Sequence, residues 1–251
     1  MSLIEEMEQQ GSFLFRHRGT LPIIILLFGM VFFAFSEWRR KTFGDPALPF
    51  DRFDQVVALF FCLLGFFIRA YTVGHSPPNT SGRNTAKQVA DELNTSGVYS
   101  IVRHPLYVGN FFMWLGVAVL TMNLWFILIF ILLYWVYYER IMFAEEQFLR
   151  QKFGDTYLEW ARKTPAFIPN FRKWRKPVLE FNWKKALKKE KTGLLAVFSV
   201  MFLFDLLQDS IRRGMMDLKF DFWSIALIFS LCFYLLLKLF SRTPSFQKEM
   251  A

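Results

Sequence analysis

Long apolar blocks decide what this chain can fold into. Residues 20–36, TLPIIILLFGMVFFAFS, carry no charge. Residues 53–73 hold only Asp54 near the start and Arg69 near the end. Residues 105–121 and 124–138 are uncharged, and 222–240 hold only Lys238. A bilayer core takes about 20 apolar residues per helix, so each block is a spanning candidate, some a little short. A soluble core would interrupt such runs with an amphipathic period, so five blocks in one chain argue against it. A sixth stretch, 193–207, is shorter and interrupted by Asp205. It is read as a span because 222–240 then returns the chain to the side where Arg242 and Lys248 fit. The expected fold is an all-α polytopic membrane bundle of about six transmembrane helices with a cytoplasmic helical segment.

Charge orients the bundle. Of the net charge of +9, much lies in residues 139–192, with 14 Lys or Arg against 7 Asp or Glu. Positive loops face the cytoplasm, so this loop, the loop 74–104 and the N-terminus are placed inside. The turn after the first span disagrees, because Arg39, Arg40, Lys41 and Arg52 would then lie outside, with Trp38 as an interfacial anchor. The tract FRKWRKPVLEFNWKKALKKEK (171–191) suits anionic headgroups, at about 1 kcal/mol per basic residue near the surface. A plain inside-facing anchor explains it better than substrate selection. No nucleic-acid motif accompanies the charge, so nucleic acid is not an expected partner. Cys62 and Cys232 lie in apolar runs, and His17, His75 and His104 are scattered, so no metal site is expected. The acidic start MSLIEEMEQQ favours an uncleaved first helix.

Two stretches carry chemistry. In DELNTSGVYSIVRHPLYVGN (91–110), Asn94 to Gly97 is a turn, and Pro105 suits the first turn of a helix. A helix starting beside His104 points its N–H groups and positive dipole end at the cytoplasmic interface. Arg103, His104 and Tyr107 gather there, with Tyr99 just before. Any one alone would pass as interfacial anchoring. The second stretch, ERIMFAEEQFLRQKFGDTYLEWARKTPAFIPN (139–170), carries the fourth helix beyond the membrane. It puts Glu139, Glu145 and Glu146 at that helix's inner end, where carboxylates are costly unless solvated or paired. Gly154 is expected to end the helix. Asp155 then caps a short second one ending near Pro165.

These two stretches, in this order and about 40 residues apart, resemble the isoprenylcysteine carboxyl methyltransferase family and its wider group of integral-membrane methyltransferases, phospholipid methyltransferase-like members included. The matching residues are Gly97-Val98-Tyr99, Arg103-His104-Pro105, Tyr107 and Gly109, then Glu145-Glu146, Leu149, Phe153-Gly154, Tyr157, Pro165 and Pro169. The resemblance covers 91–170, and the tail from Phe171 onward departs from it. It implies an S-adenosylmethionine-dependent enzyme working at the cytoplasmic membrane face. It places Leu93, Asn94, Tyr99, His104, Pro105, Leu106, Tyr107, Glu145 and Glu146 at the cofactor. Either Arg140 or Arg103 would orient an anionic acceptor; Arg140 lies five residues before Glu145, where the family has four. The acceptor would be a membrane lipid or lipidated substrate entering sideways: a lipid headgroup, a lipid phosphate or a prenylcysteine carboxylate. The expected location is a bacterial inner membrane.

Two other classes stay open. Membrane sterol reductases share an Arg-His/Asn-Pro-x-Tyr element but use NADPH. A non-catalytic membrane interaction protein would need no cofactor. The division expected is a cytoplasmic segment 1–19, a methyltransferase core 20–170, a basic interfacial linker 171–192, a membrane hairpin 193–240 and a tail 241–251.

Overall fold

A computed structural model describes residues 2–44, 53–77, 88–216, 218–241 and 243. Arg52, Arg242, Lys248 and most of the proline-rich loop SPPNTSG lie outside these residues. The described chain is all-helical and forms a multi-pass membrane protein: α1 (Leu3–Arg16), α2 (Thr20–Phe43), α3 (Phe53–Gly74), α4 (Pro105–Leu120), α5 (Leu124–Lys163), α6 (Trp183–Arg213) and α7 (Phe222–Phe240). Five of them, α2, α3, α5, α6 and α7, are long and apolar enough to cross a membrane; α4 is apolar but shorter. At 1.5 Å per residue, the 16 residues of α4 reach roughly 24 Å.

The expected stretches 53–73, 105–121 and 222–240 become α3, α4 and α7 almost residue for residue. The short stretch 193–207 is the middle of the 31-residue α6, roughly 46 Å long. Its polar interruption is satisfied within the bundle. Asp205 accepts from Gln55 Nε2 at 3.0 Å, and Gln55 Oε1 accepts from Trp223 Nε1 at 2.8 Å. One amide thus ties α3, α6 and α7 together. The N-terminal segment, expected only as a cytoplasmic stretch, is a helix. Ser2 and Glu5 form a reciprocal capping box. Gly11 lets α1 lie against the Arg140 carbonyl of α5.

The basic residues expected in a turn after the first span lie in the last turns of α2, beside a buried glutamate. Glu37 is 1% exposed and pairs with Arg40 at 2.6 Å and with Arg212 at 3.0 Å. Lys41 Nζ donates to the Ile211 carbonyl at 2.8 Å. These contacts hold the C-terminal end of α2 against the C-terminal end of α6.

Helices α3 and α4 pack most closely. A Cβ at Gly65 would run into the Gly109 carbonyl, and one at Gly116 would meet the backbone of Ala58 and the Cys62 sulfur. Small residues at such crossings let membrane helices approach. Gly65→Val is therefore expected to lower the unfolding temperature in detergent by several degrees, since overpacking a core costs about 1–3 kcal/mol. Unchanged melting would contradict this packing.

Residues 164–182 fold back under the end of the bundle where α4 begins. Arg103 N–H donates to Pro165 O at 2.9 Å, His104 N–H to Ala166 O at 3.2 Å, Asn170 N–H to Ile101 O at 2.9 Å and Gly97 N–H to Arg175 O at 3.1 Å. The expectation of free N–H groups at the start of α4 is narrowed here. Returning carbonyls take those of Arg103 and His104, and Tyr107 N–H bonds to His104 O.

Candidate active site

Pro105 opens α4, and His104 sits just before it with its backbone out of the helical region. That geometry turns the imidazole towards α5. Forty-two residues on, α5 brings Glu145 and Glu146 to the same level. His104 Nε2 lies 2.8 Å from Glu146 Oε1, and its Nδ1 lies 3.7 Å from Glu145 Oε2. Tyr107 Oη donates to Glu145 Oε2 at 2.9 Å. Tyr134 Oη donates to the Tyr107 carbonyl at 2.7 Å, which fixes the first turn of α4 against α5. Trp160, beyond the bend, donates from Nε1 to the Tyr99 carbonyl at 3.2 Å. The bend is at Gly154, with φ 55° and ψ −129°. A left-handed position of this kind favours glycine, and it aims residues 155–163 back at the 97–104 segment.

A cavity of about 570 Å³ lies over this arrangement. Leu93, Asn94, Tyr99, Arg103, His104, Pro105, Leu106, Tyr107 and Glu145 all line it; Glu146 and Arg140 do not. Glu146 sits behind the wall, pairing with His104 and lying 3.2 Å from Arg103 Nε. Arg140 lies 3.9 Å from its neighbour Glu139, away from the lining. The two arginines anticipated as alternatives are thus separated, with Arg103 at the cavity and Arg140 off it.

The electrostatics fit a site that holds a charged group. Burial raises the Glu146 carboxyl, but the His104 hydrogen bond and charge and the Arg103 charge outweigh it. The net result is a carboxyl below its usual range. Burial first, and then the charge of Glu145, pushes the Tyr99 hydroxyl well above its usual value, so it remains a neutral donor. Arg103 Nη1 donates to the Ala161 carbonyl at 3.3 Å. Its Nε is buried and, although close to Glu146, makes no hydrogen bond.

Sequence reasoning missed two walls. Phe15 and Arg18 reach the cavity from the end of α1 and the turn after it. From α3 and α6 come Arg69, Glu190, Val197 and Val200. Only the charge of Arg69 near the end of an apolar run signalled any of these. Deeper along α4, Met113, Trp114 and Val117 line an apolar half. Among the described residues no group of three or more His, Cys, Asp or Glu is placed to hold a metal ion.

Comparison with known proteins reaches the same region. The family described as phospholipid methyltransferase matches residues 53–156. The protein-S-isoprenylcysteine O-methyltransferase of Schizosaccharomyces pombe is 37% identical over 46% of this chain and 49% of its own length. A probable protein-S-isoprenylcysteine O-methyltransferase of Oryza sativa subsp. indica is 32% identical over 55% of the chain and 72% of its own. The cobalt-zinc-cadmium resistance protein CzcN of Cupriavidus metallidurans is 32% identical over 65% of the chain and 69% of its own. The chain spans about half the length of the fission yeast relative. No solved structure matches it.

Proposed function

Because the chain belongs to the isoprenylcysteine carboxyl methyltransferase family of membrane proteins, we propose that it transfers a methyl group from S-adenosylmethionine to an amphiphilic acceptor at the cytoplasmic membrane face. The observation that carries this reading is the meeting of Tyr99, Arg103, His104, Tyr107 and Glu145 in one cavity whose far half is apolar.

The cofactor, when bound, supplies an electrophilic methyl on a sulfonium that departs as a neutral thioether. The residues present fit it. Glu145, facing the cavity, would accept from the ammonium or the ribose hydroxyls. The rings of Tyr99 and Tyr107 offer faces to a cation. Leu93, Asn94, Pro105 and Leu106, which line the cavity, would form the wall that holds the cofactor. His104 and Glu146 position this wall, with His104 held between the two glutamates. Arg103 orients the acceptor's anionic oxygen. A carboxylate acceptor attacks without losing a proton, so no general base is needed and positioning supplies most of the rate.

The acceptor proposed first is a lipidated cysteine carboxylate, supported by the printed names of the yeast and rice relatives. Its chain would lie along Met113, Trp114, Val117 and Val197. Phe171, Trp174 and Trp183 are exposed among the basic residues of 171–191, which supports contact with anionic headgroups.

Purified protein is incubated with methyl-labelled S-adenosylmethionine and either a prenylcysteine analogue or phospholipid vesicles. The expected product is labelled, lipid-extractable and released by mild base, as a methyl ester is. Base-stable label in phospholipid would move the acceptor to a headgroup amine. No transfer to any amphiphile, or a water-soluble product, would overturn the reading.

A further inference from the structure

Between the two halves of the cavity stands a layer that the methyl-transfer chemistry does not use. Arg69 of α3 donates from Nε to Glu190 Oε2 at 2.9 Å and from Nη2 to Glu190 Oε1 at 2.7 Å. Its Nη1 donates to Asn110 Oδ1 at 2.7 Å. Both charged residues line the cavity, yet Glu190 is 3% exposed and the Arg69 side chain 17%. Positions along the helices fix the level. On α4, Asn110 lies one turn deeper than Tyr107 and one turn shallower than Trp114. On α6, Val197 and Val200 lie two to three turns beyond Glu190. Gly109 gives Arg69 its path, since a Cβ there would stand 2.5 Å from Arg69 Cγ. Glu190 lies outside the family-matched residues 53–156.

The guanidinium fork matches a carboxylate two bonds at a time. An acceptor with an anionic head and an apolar chain, drawn into this cavity, would meet Arg69 midway along it. If its head rested there, the oxygen would stop about a helical turn short of the level of His104 and Tyr107. The chain's own carboxylate already fills that fork on both oxygens. Displacing it would strand a buried glutamate charge, which is costly. Discrimination of this kind works by making the wrong placement unfavourable.

We propose that Glu190 is a specificity-determining residue: it occupies the Arg69 fork, keeps anionic amphiphiles from seating at that level, and so sends the acceptor's anionic group on to Arg103 with only the chain left in the apolar half. This rests on the methyl-transfer reading for its consequence. The masking of Arg69 itself is measured without turnover.

The probe is labelled decyl phosphate, bound by equilibrium dialysis to cofactor-free full-length protein in detergent. Glu190→Gln keeps the shape and unmasks the cation, and is expected to bind decyl phosphate at least tenfold more tightly than the original chain. Decanol affinity should stay within twofold. In transfer assays the same variant should be inhibited by decyl phosphate at least tenfold more strongly, with acceptor KM raised and S-adenosylmethionine affinity unchanged. The double variant Arg69→Met with Glu190→Leu removes both charges at similar bulk, and should bind decyl phosphate as the original chain does. That comparison decides the matter even if Glu190→Gln does not fold. Tenfold tighter binding by the original chain than by the double variant would show Arg69 unmasked and overturn the proposal. Unchanged decyl phosphate binding by folded Glu190→Gln would overturn it too. Absence of methyl transfer with the binding pattern intact would instead strike the reading of the activity.

Discussion

Glu145→Gln is expected to weaken S-adenosylmethionine binding about 100-fold while leaving the fold intact. Glu145 is the carboxylate that faces the cavity, and Tyr107 Oη holds it in place at 2.9 Å. Glutamine can still accept that tyrosine hydrogen bond, so the change removes the charge and little else. A hydrogen bond to a charged group contributes about 1.5–3 kcal/mol, and each 1.4 kcal/mol is about tenfold in affinity. Calorimetry on the detergent-solubilised protein reads the result directly. An unchanged Kd would remove Glu145 from the cofactor site.

The second large effect separates two arginines. Arg103→Met is expected to lower methyl transfer about 100- to 1000-fold, the range seen when a preorganised electrostatic donor is removed, with cofactor affinity changed less than threefold. Arg140→Met should change the rate less than threefold, because Arg140 lies off the cavity beside Glu139. Equal losses in both variants would contradict the assignment. Acid should act through Glu146. Its folded carboxyl titrates below its unfolded value. Its pairing with His104 and Arg103 therefore contributes stability above the unfolded carboxyl range and loses it as pH falls through the folded value. Glu146→Gln should flatten the acid side of the melting-temperature profile, and an unaltered profile would contradict that pairing.

The membrane helices and the first wall of the site were legible because their signals are local. Charge-free runs mark α3, α4 and α7. Pro105 marks the start of α4. Gly154 marks the bend that carries Trp160 back to Tyr99. The motif resemblance anticipated which of these residues would gather. What escaped is long-range. Arg69 and Glu190 are 121 positions apart and neither has a periodic cue; Glu190 reads as one more charge in a lysine-rich tract. The helix α1 is short and amphipathic, and its packing on α5 depends on Gly11 fitting the Arg140 carbonyl. The start of α4 looked like an open dipole end because nothing local reveals that Pro165 and Ala166 return to occupy its N–H groups.

Whether this cavity holds S-adenosylmethionine is decided by equilibrium binding to one preparation of the solubilised chain. Labelled S-adenosylmethionine is titrated with S-adenosylhomocysteine and with NADPH as competitors. One cofactor bound per chain, displaced by S-adenosylhomocysteine and indifferent to NADPH, is the predicted result. Binding of NADPH in place of S-adenosylmethionine, or of neither, would contradict the account.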